Sequence, residues 1–323
     1  MGSLYPFARN HNQNASISQE PYVFSEPYGD SGMTYTDIIR VALRNRYSLI
    51  KYFYAKFHDM STFGGSFFKP LFFEFVSDAT AYLDTEINIL LGDALKISMQ
   101  TGDADDQITT TSYYFPRGKW CQVIPFMTDA STDCFDLTDG GAHKDLPSTL
   151  LDYQLHLRAG YILPMQDASS VLQSYDLQAL NTNFYLIPDT ANTDKSTSLS
   201  SMNAAASGYI YYDDGVTLDV LPTRFDLYFT LGDETTPAVF TVNQVLSDYP
   251  AQDLKQEQIG TIMIMLASQS GLDTATTATV VHNDKQGTTA DLVPTYDATT
   301  DILTIDAKDL LLSLYDLASI EIQ

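Results

Sequence analysis

The sequence predicts a mostly β protein, and three observations carry that expectation. From about Gln166 onward the chain is rich in Ser, Thr and Asp, and short β-compatible runs alternate with turn clusters. Phe184 to Ile187, Tyr209 to Tyr212, Phe225 to Leu231, Ala238 to Val242, Gly260 to Leu266 and Ile302 to Ile305 are the clearest runs, and their spacing suggests a β-sandwich. One stretch, from Thr34 to Gly64, carries the clear helical apolar period, and after Gly64-Gly65 the period becomes that of strands. The opening run Leu4-Tyr5-Pro6-Phe7-Ala8-Arg9-Asn10-His11-Asn12 places an arginine, two amides and a histidine behind an apolar lead. A buried strand that delivers polar residues to its end is how a parallel β/α barrel presents a binding site. The plainer reading is a strand and a polar loop whose side chains satisfy local backbone groups.

In chain order, Gln13 to Gly32 is polar and punctuated by Pro21, Pro27 and Gly29, which reads as an ordered loop. Thr34, with Asp37 three residues later, offers a helix N-cap and an acid in the favourable first turn. Ile39, Leu43, Tyr47, Ile50, Tyr54 and Phe57 recur at spacings of three and four and predict one broad apolar, core-facing stripe. Gly64-Gly65 ends the helix. Lys69 to Phe75, Ile87 to Met99, Tyr113 to Trp120 and Leu155 to Pro164 follow as strand regions, and residues 196–207 form a Ser/Ala stretch of low complexity.

The chain has 323 residues, enough for two ordinary domains or several smaller β modules. Its net charge of −24 argues against nucleic acid or anionic lipid as a partner, since both need cationic patches. No apolar run approaches the roughly 20 residues of a membrane helix. Cys121 and Cys134 are the only cysteines; a disulfide across a hairpin and two buried free thiols are both open, and the spacing fits no metal site. Asn14-Ala15-Ser16 is a glycosylation sequon, so Asn14 is the candidate acceptor. Met1-Gly2-Ser3 leads straight into the apolar run without the marks of a signal peptide. The sequence is read as a fragment.

The opening run resembles the Y-P-F-x-R-N-H-N segment of glycoside hydrolase family 31, which includes lysosomal acid α-glucosidase, sucrase-isomaltase and maltase-glucoamylase. Further motifs follow in the family's order. Arg46-Tyr47-Ser48-Leu49-Ile50-Lys51-Tyr52-Phe53-Tyr54 resembles its last barrel helix, with Lys51 for proline. Lys69-Pro70-Leu71-Phe72-Phe73-Glu74-Phe75 is similar to R-P-L-F-x-E-F. Leu91-Gly92-Asp93-Ala94-Leu95-Lys96-Ile97-Ser98 is similar to W-G-x-A-L-L-I-S, with Leu91 for tryptophan and Lys96 for an apolar residue. Tyr114-Phe115-Pro116-Arg117-Gly118-Lys119-Trp120, His156 to Pro164 and Gly208 to Gly215 match three more, the last with Tyr212 for tryptophan.

The resemblance implies the end of a (β/α)8 barrel followed by two β-sandwich C-terminal domains. Residues 1–65 would be the barrel's last strand, loop and helix, residues 66–166 a proximal sandwich and residues 167–323 a distal one. It implies a retaining, exo-acting α-glucosidase that needs no cofactor, with His11 hydrogen-bonded to the substrate sugar; the residues themselves offer no metal site. Retaining glycosidases use two carboxylates about 5–5.5 Å apart. The family's are aspartates within W-x-D-M-N-E and G-D-x-x-x-x-W, and neither motif occurs in this sequence. No catalytic residue is therefore assigned here, and the implied partners are an α-glucoside or glucan and the N-terminal part of the same enzyme.

Other acids read as structural. Asp213-Asp214-Gly215 is a turn signal, since neighbours on a strand face opposite ways. Asp103, Asp105 and Asp106 lack the glycine and final glutamate of a calcium loop, and Asp133, Asp136 and Asp139 are read alike. His156 is expected to be a structural hydrogen-bonder, Arg158 a bridge between β module and barrel. The acidic composition, cysteine pair and sequon lean towards a lysosomal or secreted protein. The competing reading is a non-catalytic or degenerate β-sandwich protein with a binding or scaffolding role.

Overall fold

Thr34 opens the helical region as its sequence implies. Its Oγ1 accepts the Asp37 N–H at 3.2 Å while the Asp37 carboxylate accepts the Thr34 N–H at 3.0 Å, a reciprocal capping box. The computed structural model describes residues 2–99, 109–123, 133–189, 204–213, 223–247, 257–283 and 288–323. Asp103, Asp105 and Asp106, most of the 196–207 stretch, Asp214 and Gly215 lie outside the described residues.

The single helix expected from the sequence is two, α1 (Tyr35–Ser48) and α2 (Ile50–Phe63), which meet at Leu49. The cause is an outside donor. The Ser48 carbonyl accepts the Gln166 N–H at 3.0 Å, and the Ser48 hydroxyl donates to the Asn45 carbonyl at 2.8 Å; both interrupt the regular ladder. Gly64 and Gly65, with φ of +80 and +109, end α2 in left-handed backbone. The expected core stripe is displaced as well. Leu43 and Tyr54 are each 39% exposed, whereas Asn45, Ser48, Leu49, Tyr52 and Phe53 are buried. The β modules pack against the neighbouring face.

The opening strand is also corrected. Gly2–Leu4 is a 3-10 turn, and among the described residues no strand precedes Phe68. A parallel barrel strand takes its hydrogen bonds from strands on both sides, and no such neighbour is paired with this segment. The strand from Lys69 is likewise short, because after Pro70 the chain turns through Leu71–Phe73, with the Phe75 N–H on the Leu71 carbonyl at 3.0 Å.

The first β module comprises β1 (Phe68–Pro70), β2 (Asn88–Leu91), β3 (Leu95–Ser98), β4 (Thr110–Phe115), β5 (Gly118–Gln122), β6 (Cys134–Leu137), β7 (Ala142–Pro147) and β8 (Leu155–Arg158). β1-β2-β3-β8-β5-β6 form one sheet in that order, and β4 pairs with β7. Alternation along the strands decides the two faces. Leu95, Ile97, Cys121, Leu155 and Leu157 face the core shared with Leu49, Tyr52 and Phe53 of the helical region. The opposite face meets β4 and β7 around Tyr113, Phe115 and Trp120.

The second module contains β9 (Ile162–Met165), β10 (Thr182–Leu186), β11 (Ala206–Tyr212), β12 (Thr223–Thr230), β13 (Ala238–Ser247), β14 (Ile259–Met265), β15 (Ala278–His282), β16 (Thr288–Leu292), β17 (Thr295–Asp297), β18 (Ile302–Asp306) and β19 (Leu317–Ile322). Two sheets, β17-β18-β14-β10-β9 and β11-β12-β13-β19-β15-β16, close on one core. Phe184 of one meets Phe240 of the other with ring centroids 5.3 Å apart. Because β9 pairs with β10, with Ile162 opposite Leu186, this sheet crosses the boundary expected between residues 166 and 167. Gly208 lets β11 approach β9, since a Cβ there would collide with the Ile162 carbonyl oxygen.

One pair is out of place in the first module. Lys96 and His156 are register partners on β3 and β8, and both are fully buried. The Lys96 Nζ lies 4.0 Å from the Phe115 ring centroid and donates to the Ser98 hydroxyl. Among the described residues neither ring nitrogen of His156 has a hydrogen-bond partner, so the expected structural hydrogen-bonder makes no bond to them. Burial pushes the Lys96 amine well below its usual range; burial, and then the charge of Lys96, push His156 the same way.

Both groups therefore bind protons more readily in the unfolded chain, so their contribution rises with pH. Stability is retained above the unfolded values, about 6.5 for His and about 10.4 for Lys, and is lost as pH falls below them. Lys96→Met is expected to stabilise the chain by roughly 1 kcal/mol or more and to flatten its dependence on pH. Urea midpoints at about pH 5 and about pH 8 check this; an unchanged slope would refute it.

Candidate functional site

The stretch that presents His11 is held from beneath by α1. Leu4 is fully buried in the core that contains Leu49 and Phe53, and the Tyr5 ring stacks on Phe68 with centroids 4.9 Å apart and planes at 22°. The Arg46 guanidinium donates to three backbone carbonyls: Ser3 at 2.7 Å, Pro6 at 3.1 Å, and Tyr5. Farther along, the Asn10 amide donates to the Gln19 carbonyl at 2.7 Å. The Arg9 guanidinium lies 5.8 Å from the Phe7 ring centroid. His11 is exposed between these supports.

The following loop hangs on the start of α1. The Thr36 hydroxyl donates to the Pro21 and Phe24 carbonyls at 2.7 and 2.8 Å, and the Tyr35 N–H donates to Glu26 at 3.1 Å. Asn14 is exposed, and the sequon's Ser16 hydroxyl donates to the Gln13 carbonyl at 2.9 Å. In the sequence Arg46 marks only the start of a helix motif. A basic residue on a helix gives no sign of which carbonyls it will meet.

The other candidates fall away from this rim. Cys121 and Cys134 are opposite each other on β5 and β6 and form a disulfide, with the sulfurs 2.00 Å apart. Asp136 accepts the Thr138 hydroxyl at 2.9 Å within its own turn. Asp213 accepts the Tyr54 hydroxyl at 2.7 Å, which ties β11 to α2. His58 stacks on Tyr211 with centroids 3.7 Å apart, and burial pushes its imidazole below the ordinary value. Arg158 is expected to bridge to the helices, but the partners found among the described residues are elsewhere. It lies 4.5 Å from the Phe75 ring centroid, 5.6 Å from that of Tyr161 and 4.0 Å from Glu74, all in the β modules. Among the described residues, no group of three or more His, Cys, Asp or Glu side chains could hold a metal.

α2 is charged along its sheet-facing side, and those charges are paired. Lys51 forms an ion pair with the buried Glu257, just before β14. Lys56 pairs with Asp93 at 2.7 Å. Burial pushes the Asp93 carboxyl up, but the neighbouring Lys56 ammonium outweighs it and holds the group below the usual carboxylate value. Asp59 accepts the Tyr209 hydroxyl and lies 3.5 Å from Arg224.

The segment that forms the rim and α1 also matches a known family. A family model for the glycosyl hydrolase family 31 TIM-barrel domain covers residues 1–56. Lysosomal α-glucosidase of Rattus norvegicus is 32% identical over an alignment of 233 residues that covers 68% of this chain and 22% of that protein. The chain belongs to glycoside hydrolase family 31. Intestinal sucrase-isomaltase of Oryctolagus cuniculus is 29% identical over 72% of this chain and 11% of its own length. A solved glucosidase II alpha subunit superposes on 100% of this chain and 32% of its own, with a TM-score of 0.76 at 19% identity. A family 31 dextranase of Flavobacterium johnsoniae superposes on 90% of this chain and 33% of its own, with a TM-score of 0.60 at 13% identity. At these identities the two structures establish the fold. The chain spans about a fifth of the length of the lysosomal α-glucosidases it matches, 22% in the rat protein.

Removing one partner of the Lys51–Glu257 pair leaves a buried charge without its counter-charge. Lys51→Met is expected to cost about 3–5 kcal/mol, and adding Glu257→Met to recover most of it. Chemical denaturation of the two single variants and the double variant measures this; additive losses would show that the pair is not coupled.

Proposed function

We propose that this chain is the C-terminal part of a retaining, exo-acting α-glucosidase that releases terminal α-linked glucose from oligosaccharides or glucans. The observation that carries the reading is the supported, solvent-facing His11 segment inside the residues matched by the family 31 barrel model. In this reading residues 1–65 complete the catalytic barrel and the two β modules are the proximal and distal β-sandwiches. The rest of the enzyme supplies the catalytic aspartates and is the chain's principal partner.

His11 then binds rather than transfers protons. An imidazole N–H donates to a sugar hydroxyl, and the two carboxylates elsewhere act as nucleophile and as acid/base. No cofactor enters such a reaction. The exposure of Leu43 and Tyr54 at 39% each, and of Phe7 at 75%, suits a surface that the remaining barrel covers. The Cys121–Cys134 disulfide, the exposed sequon at Asn14 and the net charge of −24 support a lysosomal or secreted location.

The native enzyme that contains this chain is expected to hydrolyse maltose and a chromogenic α-glucoside, while the chain alone is expected to be inactive. His11→Ala in the native enzyme should lower kcat/KM about a hundredfold. Steady-state kinetics at acidic and neutral pH check both. Unchanged kinetics would remove His11 from the pocket, and silence on every α-glucoside would favour the scaffolding role.

A further inference from the structure

We infer that Arg46 is a positioning residue for His11: its guanidinium fixes the path of the chain from Ser3 to Pro6, and Asn10 fixes the far side. The inference rests on the α-glucosidase reading above. Among the described residues this segment pairs with no strand, so within this chain one planar side chain orders its backbone. A guanidinium offers five donors in a fixed fork, and three carbonyls within four residues accept from Arg46. The fork has support of its own. Arg46 stands on the last turn of α1, and its Cζ lies 6.0 Å from the ring centroid of the buried Phe53.

Beyond Pro6 the next anchor is Asn10, whose amide donates to the Gln19 carbonyl at 2.7 Å. His11 is the next residue. The imidazole is thus held through its backbone by a charged anchor five residues before it and a neutral one immediately before it. Catalytic geometry tolerates little displacement, and a shift of about 1 Å can cost on the order of a hundredfold in rate. Loss of the charged anchor removes three hydrogen bonds at once without touching the sugar.

Arg46→Met keeps an apolar stem beside Phe53 and deletes the donors, while Arg46→Lys keeps a charge and donors without the planar fork. Two measurements separate the claims. Hydrogen exchange on the native enzyme is expected to show Arg46→Met raising exchange from Ser3 to Asn12 while α1 and α2 stay protected, with Arg46→Lys in between. Kinetics on a chromogenic α-glucoside are expected to show kcat/KM about tenfold lower in Arg46→Met, partly restored in Arg46→Lys. Wild-type exchange in Ser3 to Asn12 would overturn the inference whatever the activity, and so would wild-type kcat and KM in Arg46→Met. General unfolding of Arg46→Met together with wild-type kinetics in Arg46→Lys would assign Arg46 to stability alone and also overturn it. An inactive wild type would instead sink the α-glucosidase reading, leaving the exchange result to judge the anchor.

Discussion

Both β modules are held to one helix, and the rest of the chain depends on that docking. The Tyr52 hydroxyl on α2 donates to the Leu91 carbonyl at 2.7 Å and accepts the Ala94 N–H at 3.2 Å. It sits where a Cβ on Gly92 would be, so the tight β2–β3 turn and the helix specify each other. Burial pushes the Tyr52 phenol well above its usual range, which keeps it a hydrogen-bond donor. The same helix reaches the second module through Tyr54 to Asp213, Asp59 to Tyr209, and Lys51 to Glu257. Leu49, at the junction with α1, is fully buried beneath the whole arrangement.

That docking explains which parts of the fold were legible in the sequence. The Thr34–Asp37 cap and the Gly64-Gly65 stop are local signals, and both ends of the helical region fall where they point. The break at Leu49 is only partly local: the Ser48 hydroxyl bonds back to Asn45, but the competing donor is the distant N–H of Gln166. The buried side of the helices departs from the periodic stripe for a related reason. Periodicity marked the stripe from Ile39 to Phe57, but the side chains at Ser48, Leu49, Tyr52 and Phe53 face the sheets. Lys51 stands where the resembled motif has proline, and its buried partner lies more than two hundred residues away in sequence. Nothing near Lys51 announces Glu257.

The candidate site was legible by residue type rather than by conformation. Tyr5 to Asn12 reads as a strand delivering polar groups, and the polar groups are indeed presented to solvent. The strand is replaced by a turn and an irregular path, because strand geometry depends on neighbours in the sheet. Arg46, Phe68 and Gln19 supply the order instead. Lys96 is the reverse case. Its departure from an apolar pattern was visible at once, but only the layer of Phe115 and Tyr113 above β3 explains how an amine is accommodated there.

Under the proposed function, His11 borders an active site whose acids lie on another part of the enzyme. A fluorinated glucosyl fluoride that traps the covalent glycosyl-enzyme of a retaining reaction tests this. After proteolysis of the labelled native enzyme, peptide mass spectrometry is expected to find the sugar on an aspartate outside these 323 residues. A sugar attached to Asp93, Asp213 or any other carboxylate of this chain would contradict it.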